Sequence, residues 1–301
     1  MTEKRYGRHV VKLTREEKVL FPDDGFSKGD LIAYYESVAG YMLPYLKARP
    51  LSMKRFPDGI ENQSFFQKDA PDYFPGWIET ARLKKKDGTV DHVVCNNTAT
   101  LIYVSNQACI EYHVGLSRTD SIESPQQLAF DLDPVEDAFA EARRAALIIK
   151  ELFDDLELPL FVKTTGGKGL HLFCPVRKGM SFEDVRRFAE RIAGVVAAEQ
   201  PRHLTTEWRK AKREGRLFLD VARNAYGQTT VAPYSVRARP GAPVSMPLHW
   251  EEAGDNRLDP SRFTIKSAPA RLDRDGDAWA GMTRKARSLA AAEKRLQSIR
   301  T

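Results

Sequence analysis

The order of strand-like and helix-like segments between residues 100 and 175 is the feature that most constrains the fold. Short apolar segments typical of strands occur at 100–106, 109–114 and 127–133. Residues 135–156 then place apolar side chains three and four positions apart with no helix breaker, which predicts a helix. Two further strands follow, joined by a glycine-rich turn. Strands and helices are interspersed without strict alternation, so we predict an α+β fold with mixed sheets rather than a doubly wound fold.

Two other helices are predicted from their N-terminal residues. Ser27 with Asp30, and Ser181 with Asp184, have the spacing of a capping box at the start of an amphipathic segment. A basic helix is predicted near the end of the chain, over about 283–300.

Composition limits the class of protein more than it identifies a function. The 301 residues carry a formal charge of +6 and a sequence pI near 9.1, which suggests an anionic partner but equally fits a mildly basic, solvated surface. The three cysteines are too widely spaced for a disulfide framework or a C-x-x-C zinc site, so we expect reduced thiols in a cytoplasmic protein. The apolar runs are too short to span a bilayer, and we expect no membrane partner.

The segment AFDLDP places two aspartates in an otherwise apolar strand. Residues two apart in a strand share a face, so Asp131 and Asp133 project side by side. Two neighbouring carboxylates are costly to bury ionised unless a cation offsets them, and oxygen ligands favour Mg²⁺ or Mn²⁺. The other explanation is that Asp133 caps a following helix with Pro134 at its first position. D-x-D alone is a weak motif.

A third carboxylate ends another apolar strand, in RLFLDVARN. Asp220 on its own is more often a turn residue than a metal ligand. Taken with Asp131 and Asp133, it resembles the cluster that holds two metals for phosphoryl or nucleotidyl transfer.

The glycine-rich turn KTTGGKGLH has features suited to a polyphosphate. Its glycines, Gly167 among them, allow backbone N–H groups to approach an anion, while Thr165 offers a hydroxyl and Lys168 a charge. It is not a Walker A loop, because the spacing differs and a strand follows. A glycine hairpin with a solvated lysine explains the segment about as well, and His171 fits a satisfied core histidine.

Further candidates combine cations with strands or aromatic rings. His113 lies on a strand just before the D-x-D strand and Arg237 follows a strand, and either could bind phosphate oxygens. Four more residues pair charge with aromatic faces, as nucleic-acid grooves do, although a phenylalanine pair is more often core. These are Lys54, which we assign to the nucleotide, and Arg55, Phe65 and Phe66, which we assign to DNA.

Eight segments, in order, resemble the polymerase domain of bacterial ATP-dependent DNA ligase D, a branch of the archaeo-eukaryotic primase superfamily. The resemblance covers about residues 10–255. The segments are EKVLFP, KGDLIAYY, RPLSMKRFPDGIENQSFFQKDAP, IEYH, FDLDP, KTTGGKGLHLF, RKAKREGRLFLDVARN and TVAPYSVRARPGAPVSMPL.

The resemblance implies a primase-like core with mixed sheets that form a central active-site cleft flanked by helices. It implies one primase-polymerase domain, with a DNA-end-binding part (1–100), a catalytic core (101–255) and a C-terminal extension (256–301). The implied activity is addition of ribonucleotides or deoxyribonucleotides to a primer 3′-OH in non-homologous end joining. The implied partners are double-stranded ends, gapped DNA with a 5′-phosphate, nucleoside triphosphates, Ku and a DNA ligase, in the bacterial cytoplasm at the nucleoid.

The resemblance also assigns roles to individual residues. Asp131, Asp133 and Asp220 match the ligands of two Mn²⁺ or Mg²⁺ ions. The positions that match the triphosphate site are His113, Thr165, Lys168 and Arg237. Lys18 and Lys28 match the pair that binds the recessed 5′-phosphate, and Phe65 and Phe66 match the aromatic pair near the bases.

The chain departs from the family pattern in two respects. Thr165 stands where the family commonly has serine, so the hydroxyl is kept and a methyl is added. The ligase and nuclease domains of the full enzyme are absent, which implies a stand-alone homologue or an excised domain. A metal-dependent D-x-D glycosyltransferase and a non-catalytic module that bridges DNA ends are the alternative functions.

Overall fold

The structure, a computed structural model, describes residues 2–134 and 138–298. Its strands, in chain order, are β1 (Thr2–Tyr6), β2 (His9–Leu13), β3 (Val19–Phe21), β4 (Phe26–Ser27), β5 (Leu51–Arg55), β6 (Phe65–Gln67), β7 (Thr80–Lys85), β8 (Gly88–Val93), β9 (Cys109–Gly115), β10 (Gln127–Leu132), β11 (Phe161–Thr164), β12 (Leu170–Pro175), β13 (Leu204–Thr205), β14 (Leu217–Asp220), β15 (Thr229–Val231) and β16 (Pro247–Leu248). Its α-helices are α1 (Lys28–Leu46), α2 (Thr98–Asn106), α3 (Phe139–Asp155), α4 (Phe182–Glu199), α5 (Trp250–Gly254), α6 (Ala268–Asp275) and α7 (Ala290–Ser298).

The chain forms two compact units, each assembled from three segments. The first unit comprises Met1–Asp120, Thr229–Met246 and Phe263–Gly276. The second unit comprises Ser121–Gln228, Pro247–Arg262 and Asp277–Thr301. The single primase-polymerase domain with three functional parts stays a prediction.

The first unit is built around a four-stranded antiparallel sheet in the order β15-β9-β5-β6. Helix α1 follows the predicted pattern, because the Ser27 side chain accepts a hydrogen bond from the Asp30 N–H while the Asp30 carboxylate accepts one from the Ser27 N–H. Its buried face includes Leu31, Tyr35 and Val38, and the Tyr35 hydroxyl donates to the Ile110 carbonyl at 2.6 Å. The helix therefore anchors β9, which carries His113.

The predicted strand at 100–106 is wrong, because this segment is helix α2. The Asn97 side chain accepts a hydrogen bond from the Thr100 N–H at 2.9 Å and so caps the helix. Leu101, Ile102 and Val104 are all buried, and periodicity cannot separate a strand from a helix in so short an apolar run.

The second unit is built around a six-stranded sheet in the order β13-β14-β10-β12-β11-β16. Its pairs are antiparallel except β13 with β14, so the predicted mixed sheet is confirmed. The strand, glycine turn and strand predicted for KTTGGKGLH are β11 and β12. Helix α4 begins after Ser181, whose side chain accepts from the Asp184 N–H, as its capping-box spacing predicts.

Helix α3 begins later than the sequence predicts. Its N-cap is Ala138, which makes no side-chain capping bond, so the alternative in which Asp133 caps this helix is wrong. The first predicted helical residues, 135–137, lie outside the described residues. Asp133 lies directly after the end of β10, and its side chain is exposed.

The remaining expectations concern the C-terminal helix, the cysteines and membrane-spanning helices. The basic C-terminal helix is α7, shorter than predicted, and residues 299 and 300 of that prediction are outside the described part. All three cysteines are buried free thiols, in agreement with the sequence. Among residues 2–134 and 138–298, we find no helix with the length and hydropathy of a membrane span.

Candidate active site

Charged side chains form a row across the sheet of the second unit. Asp131 on β10 is the register partner of Asp220 on β14 and of His171 on β12, and His171 is the partner of Lys163 on β11. Directly opposite residues point to the same face with Cβ atoms about 4.5–5.5 Å apart. Four consecutive strands therefore bring two carboxylates, an imidazole and an ammonium group onto one face.

Cations surround the Asp131 carboxylate. His171 Nε2 lies 3.3 Å from Oδ1, and Arg223 Nε lies 3.5 Å from Oδ2. Burial by itself would raise the pKa of Asp131, but the charge and hydrogen bond of His171, with Arg223 and Lys163, lower it to about 2. Asp131 is thus ionised at neutral pH.

The negative charge of Asp220 is offset less than that of Asp131. Its Oδ1 accepts one hydrogen bond from the Ala222 N–H at 2.7 Å. Burial raises the pKa of Asp220, and the neighbouring charge of Asp131 raises it further, against the opposing effect of the Ala222 bond. A cation between the two carboxylates would relieve this repulsion.

The donor set of these strands fits a hard divalent cation. Asp131 and Asp220 are register partners, and Asp133 follows two residues after Asp131. In the described part of the chain, no three His, Cys, Asp or Glu side chains stand close enough together to hold a metal without rearrangement. The two paired carboxylates therefore provide the fixed part of the site, and Asp133, exposed at the strand end, would have to turn towards them.

Asn224 holds the carboxylate strand in place. Its Oδ1 accepts from the Ala129 N–H at 2.8 Å, and its Nδ2 donates to the Ala129 carbonyl at 2.7 Å and the Val221 carbonyl at 2.8 Å. The side chain is completely buried. It therefore ties β10, two residues before Asp131, to the segment that follows Asp220.

The glycine turn packs closely against the end of β10. The Thr165 hydroxyl accepts hydrogen bonds from the Gly167 and Gly169 N–H groups, each at 3.2 Å. Gly169 lies so close to Leu132 that a Cβ atom there would overlap the Leu132 carbonyl oxygen. Lys168 is exposed at the tip of the turn.

In the first unit, several predicted residues converge on a carboxylate that the sequence reasoning missed, Glu111. His113 Nε2 lies 3.0 Å from Glu111 Oε2, whereas Arg237 Nε and Lys54 Nζ lie 3.3 and 3.9 Å from Oε1. Burial would raise the pKa of Glu111, but the His113 bond and the Arg237 and Lys54 charges lower it to about 2. Burial also lowers the pKa of His113. We name Glu111 with His113, Arg237 and Lys54 the cation cluster.

Aromatic residues border the cation cluster. Phe66 packs edge to face with His113, with ring centroids 5.2 Å apart, and Lys54 Nζ lies 5.7 Å from the Phe66 centroid. Phe65 lies under the Arg55 guanidinium at 5.5 Å. Both phenylalanines are exposed, at 43% and 55%, so they are not the core pair that was the alternative.

The two lysines predicted to bind a 5′-phosphate differ in exposure. Their backbones are adjacent, because the Lys28 N–H donates to the Lys18 carbonyl at 2.7 Å. Lys18 Nζ pairs with the exposed Asp58 at 2.7 Å. Lys28 is buried, and its Nζ donates to the Asn106 carbonyl at 3.1 Å.

The predicted residues thus fall into groups within each unit. The second unit pairs Asp131 with Asp220 and joins Gly167 to Thr165, while Asp133 and Lys168 are exposed. The first unit brings together His113, Arg237, Lys54 and Phe66, and holds Arg55 against Phe65. His171 is buried, as expected of a core histidine, and its contact is Asp131. Lys163, Glu111 and Asn224 were missed, although the period-of-two argument applied to Asp131 and Asp133 would also have paired Glu111 with His113.

Comparison with known proteins gives consistent results. The family model described as "LigD, primase-polymerase domain" matches residues 27–279. The multifunctional non-homologous end joining protein LigD of Mycolicibacterium smegmatis is 35% identical over 276 residues, covering 91% of this chain and 36% of that protein. The bifunctional non-homologous end joining protein LigD of Bacillus subtilis is 34% identical over 268 residues, covering 88% and 43%. This chain therefore spans less than half the length of these relatives.

A solved structure agrees over nearly its whole length. The polymerase domain from Mycobacterium tuberculosis ligase D, in complex with DNA, matches with a TM-score of 0.87 at 32% identity. The match covers 92% of this chain and 99% of that one.

Proposed function

This chain belongs to the family of LigD primase-polymerase domains, which are nucleotidyltransferases, and we propose that it extends the 3′-OH of a broken DNA end in non-homologous end joining. The observation that carries the proposal is the register pairing of Asp131 with Asp220 beside the glycine turn. We take the carboxylate pair as the cation site and the turn as an anion site, which is supported by the position of both at the end of β10.

We assign metal binding to Asp131 and Asp220, with Asp133 as the third ligand. Divalent ions held there, Mn²⁺ or Mg²⁺, would activate the primer 3′-OH and neutralise charge on the phosphates. The protein contributes the fixed spacing of the carboxylates across β10 and β14, while His171 and Arg223 orient the Asp131 carboxylate. Such positioning and charge stabilisation supply most of the catalysis in phosphoryl transfer.

We assign phosphate binding to two groups of residues, each within its own unit. Lys168 provides a positive charge and Thr165 a hydroxyl group on the second unit. His113, Arg237 and Lys54 provide cationic groups on the first unit. Guanidinium and ammonium groups make strong charge-assisted hydrogen bonds to phosphate oxygens.

We assign DNA binding to the exposed aromatic pair and the nearby cations. Phe65 and Phe66 offer stacking surfaces, Arg55 covers Phe65, and Lys18 is the more accessible of the two lysines expected at a recessed 5′-phosphate. The solved relative, a ligase D polymerase domain in complex with DNA, supports a DNA substrate for this chain. We further propose that the partners are Ku, a DNA ligase and gapped DNA with a 5′-phosphate, and that the protein acts at the bacterial nucleoid.

The test is extension of a labelled primer on a gapped duplex with nucleoside triphosphates and either Mn²⁺ or Mg²⁺. Asp131→Ala should abolish extension while affinity for the gapped duplex largely persists. Asp154→Asn is the control, because Asp154 is an exposed carboxylate of the same unit whose partner is Lys150. Retained extension by Asp131→Ala would contradict the metal assignment.

The same assay separates the alternative functions. A non-catalytic bridging module would bind the duplex but leave the primer unextended. A glycosyltransferase would also leave it unextended and would bind a nucleotide sugar instead of the duplex.

A further inference from the structure

Glu111 contacts an arginine, a lysine and a histidine of the proposed nucleotide site but has no role in it so far. We propose that Glu111 is a positioning residue, which holds Arg237, His113 and Lys54 in place for the triphosphate of the incoming nucleotide. This inference rests on the proposed function, since it takes the cation cluster to be part of the triphosphate site.

The contacts of Glu111 use both carboxylate oxygens. Oε2 faces His113 Nε2 at 3.0 Å. Oε1 accepts from the Ala238 N–H at 3.1 Å and lies 3.3 Å from Arg237 Nε and 3.9 Å from Lys54 Nζ. The Ala238 bond fixes the backbone next to Arg237, so Glu111 restrains this residue through both its side chain and its neighbouring peptide.

The strand register explains why these groups meet. Lys54 on β5 is the register partner of Glu111 on β9, and Ser52 is the partner of His113, so all four side chains lie on one face of the sheet. Phe66 on β6 is the partner of Lys54 on its other side. Glu111, His113 and Lys54 therefore lie on paired strands, which position side chains more accurately than loops do, whereas Arg237 follows β15 and is held by its contacts with Glu111.

Direct contact between Glu111 and a triphosphate would be unfavourable. The carboxylate is ionised, its side chain is only 4% exposed, and like charges repel strongly where solvent screening is weak. Its effect must pass through the cations. Without Glu111, the Arg237 and Lys54 charges would repel each other and His113 would lose its hydrogen-bond partner. The ligand would then have to order all three side chains on binding.

The experiment is a double-mutant cycle of Glu111→Gln and Arg237→Ala, measured by primer extension at varied nucleoside triphosphate concentration. We expect Glu111→Gln to raise KM for the triphosphate by about tenfold and to change kcat by less than about threefold. In the Arg237→Ala background the same change should raise KM by less than about threefold, because the arginine that Glu111 restrains is absent. Calorimetric titration with inorganic tripolyphosphate should show the same pattern without catalysis.

Glu36→Gln is the matched control. Glu36 is a carboxylate of the same unit that pairs with Lys4 at 2.9 Å, outside the cation cluster, so this variant should leave KM unchanged. A purely structural Glu111 would instead give equal KM effects in both backgrounds, together with lower affinity for gapped DNA and a lower Tm. Either equal effects or an unchanged KM would overturn the proposal.

Glu111→Asp is a second variant, to be used if Glu111→Gln does not fold. It keeps the charge and shortens the side chain by one methylene, so we expect a smaller rise in KM with kcat preserved. A wild-type KM in a folded Glu111→Asp variant, or loss of the fold in both variants, would overturn the positioning role.

Failure of the proposed function would have a different signature. In that case the wild-type protein would not extend the primer, or Arg237→Ala would leave both KM and tripolyphosphate affinity unchanged. If the wild type extends, Arg237→Ala raises KM and Glu111→Gln has no effect, only the inference about Glu111 is wrong.

Discussion

Replacing Gly169 with alanine tests whether the glycine turn fixes the position of the carboxylate strand. A Cβ atom at Gly169 would overlap the Leu132 carbonyl oxygen, and it would lie 3.0 Å from the Leu132 carbonyl carbon and 3.1 Å from the Asp133 Cα. All three atoms belong to backbone, which cannot rotate away as a flexible side chain can. The strand end between Asp131 and Asp133, or the turn itself, must therefore move.

The size of this movement sets the expected loss. Cβ atoms in proteins essentially never lie within 3.0 Å of a heavy atom of a residue that is not their chain neighbour. Relief of the overlap with the Leu132 oxygen therefore needs a shift of about 1 Å. A misplacement of that size at a catalytic group costs about 10²-fold in rate. Overpacking at the same point should lower the free energy of unfolding by about 1–3 kcal/mol.

The assay is Mn²⁺-dependent primer extension with chemical denaturation of the same samples. Gly169→Ala should extend primers about 10²-fold more slowly than wild type while remaining folded. Gly40→Ala is the control, because Gly40 is exposed within α1 with open space around its Cβ position, and alanine there should stabilise the helix by about 0.5–1 kcal/mol. A Gly169→Ala variant with wild-type rate and stability would refute the argument that this contact sets the position of β10.

Three further predictions concern Lys28, Lys18 and Asn224. Lys28→Ala should lower the free energy of unfolding by about 1–3 kcal/mol, because the Asn106 carbonyl loses its buried donor. Lys18→Ala should leave the free energy of unfolding unchanged, because Lys18 pairs with an exposed aspartate. It should lower affinity only for gapped DNA that carries a 5′-phosphate. Equal loss of affinity with and without that phosphate would make Lys18 a general backbone contact. Asn224→Ala should lower stability by about 2–4 kcal/mol in denaturant titration, since three backbone groups at Ala129 and Val221 lose their partner; a loss below about 1 kcal/mol would contradict the role given to Asn224.

Local sequence signals predicted the elements whose cause is local. The capping residues Ser27 and Ser181 mark the starts of α1 and α4, and the glycine turn marks the connection between β11 and β12. The segment 100–106 was misassigned because its apolar residues are buried all round, and such a run carries no period that separates a helix from a strand.

In the candidate site, too, local signals were visible in the sequence and long-range contacts were not. Asp131 and Asp133 stood out in the sequence because two carboxylates in an apolar strand are costly without a cation. Asp220 stood out at a strand end, but its pairing with Asp131 depends on register between strands 89 residues apart in sequence (220 − 131). His171 and Asn224 gain their importance from the same long-range register, and a single sequence does not specify it.

The two units distribute charge in opposite ways, and the difference identifies the ligand that each one suits. In the second unit, cations on β12 and after β14 offset Asp131, but at Asp220 the Ala222 hydrogen bond does not outweigh burial and the Asp131 charge. Two carboxylates are register partners there, and such a pair suits a metal ion. In the cation cluster, one carboxylate, Glu111, stands among an arginine, a lysine and a histidine, so the excess is positive and suits a polyphosphate. Nucleotidyl transfer with a nucleoside triphosphate needs both kinds of surface, and each is built from strand pairs whose register places the charges on one face.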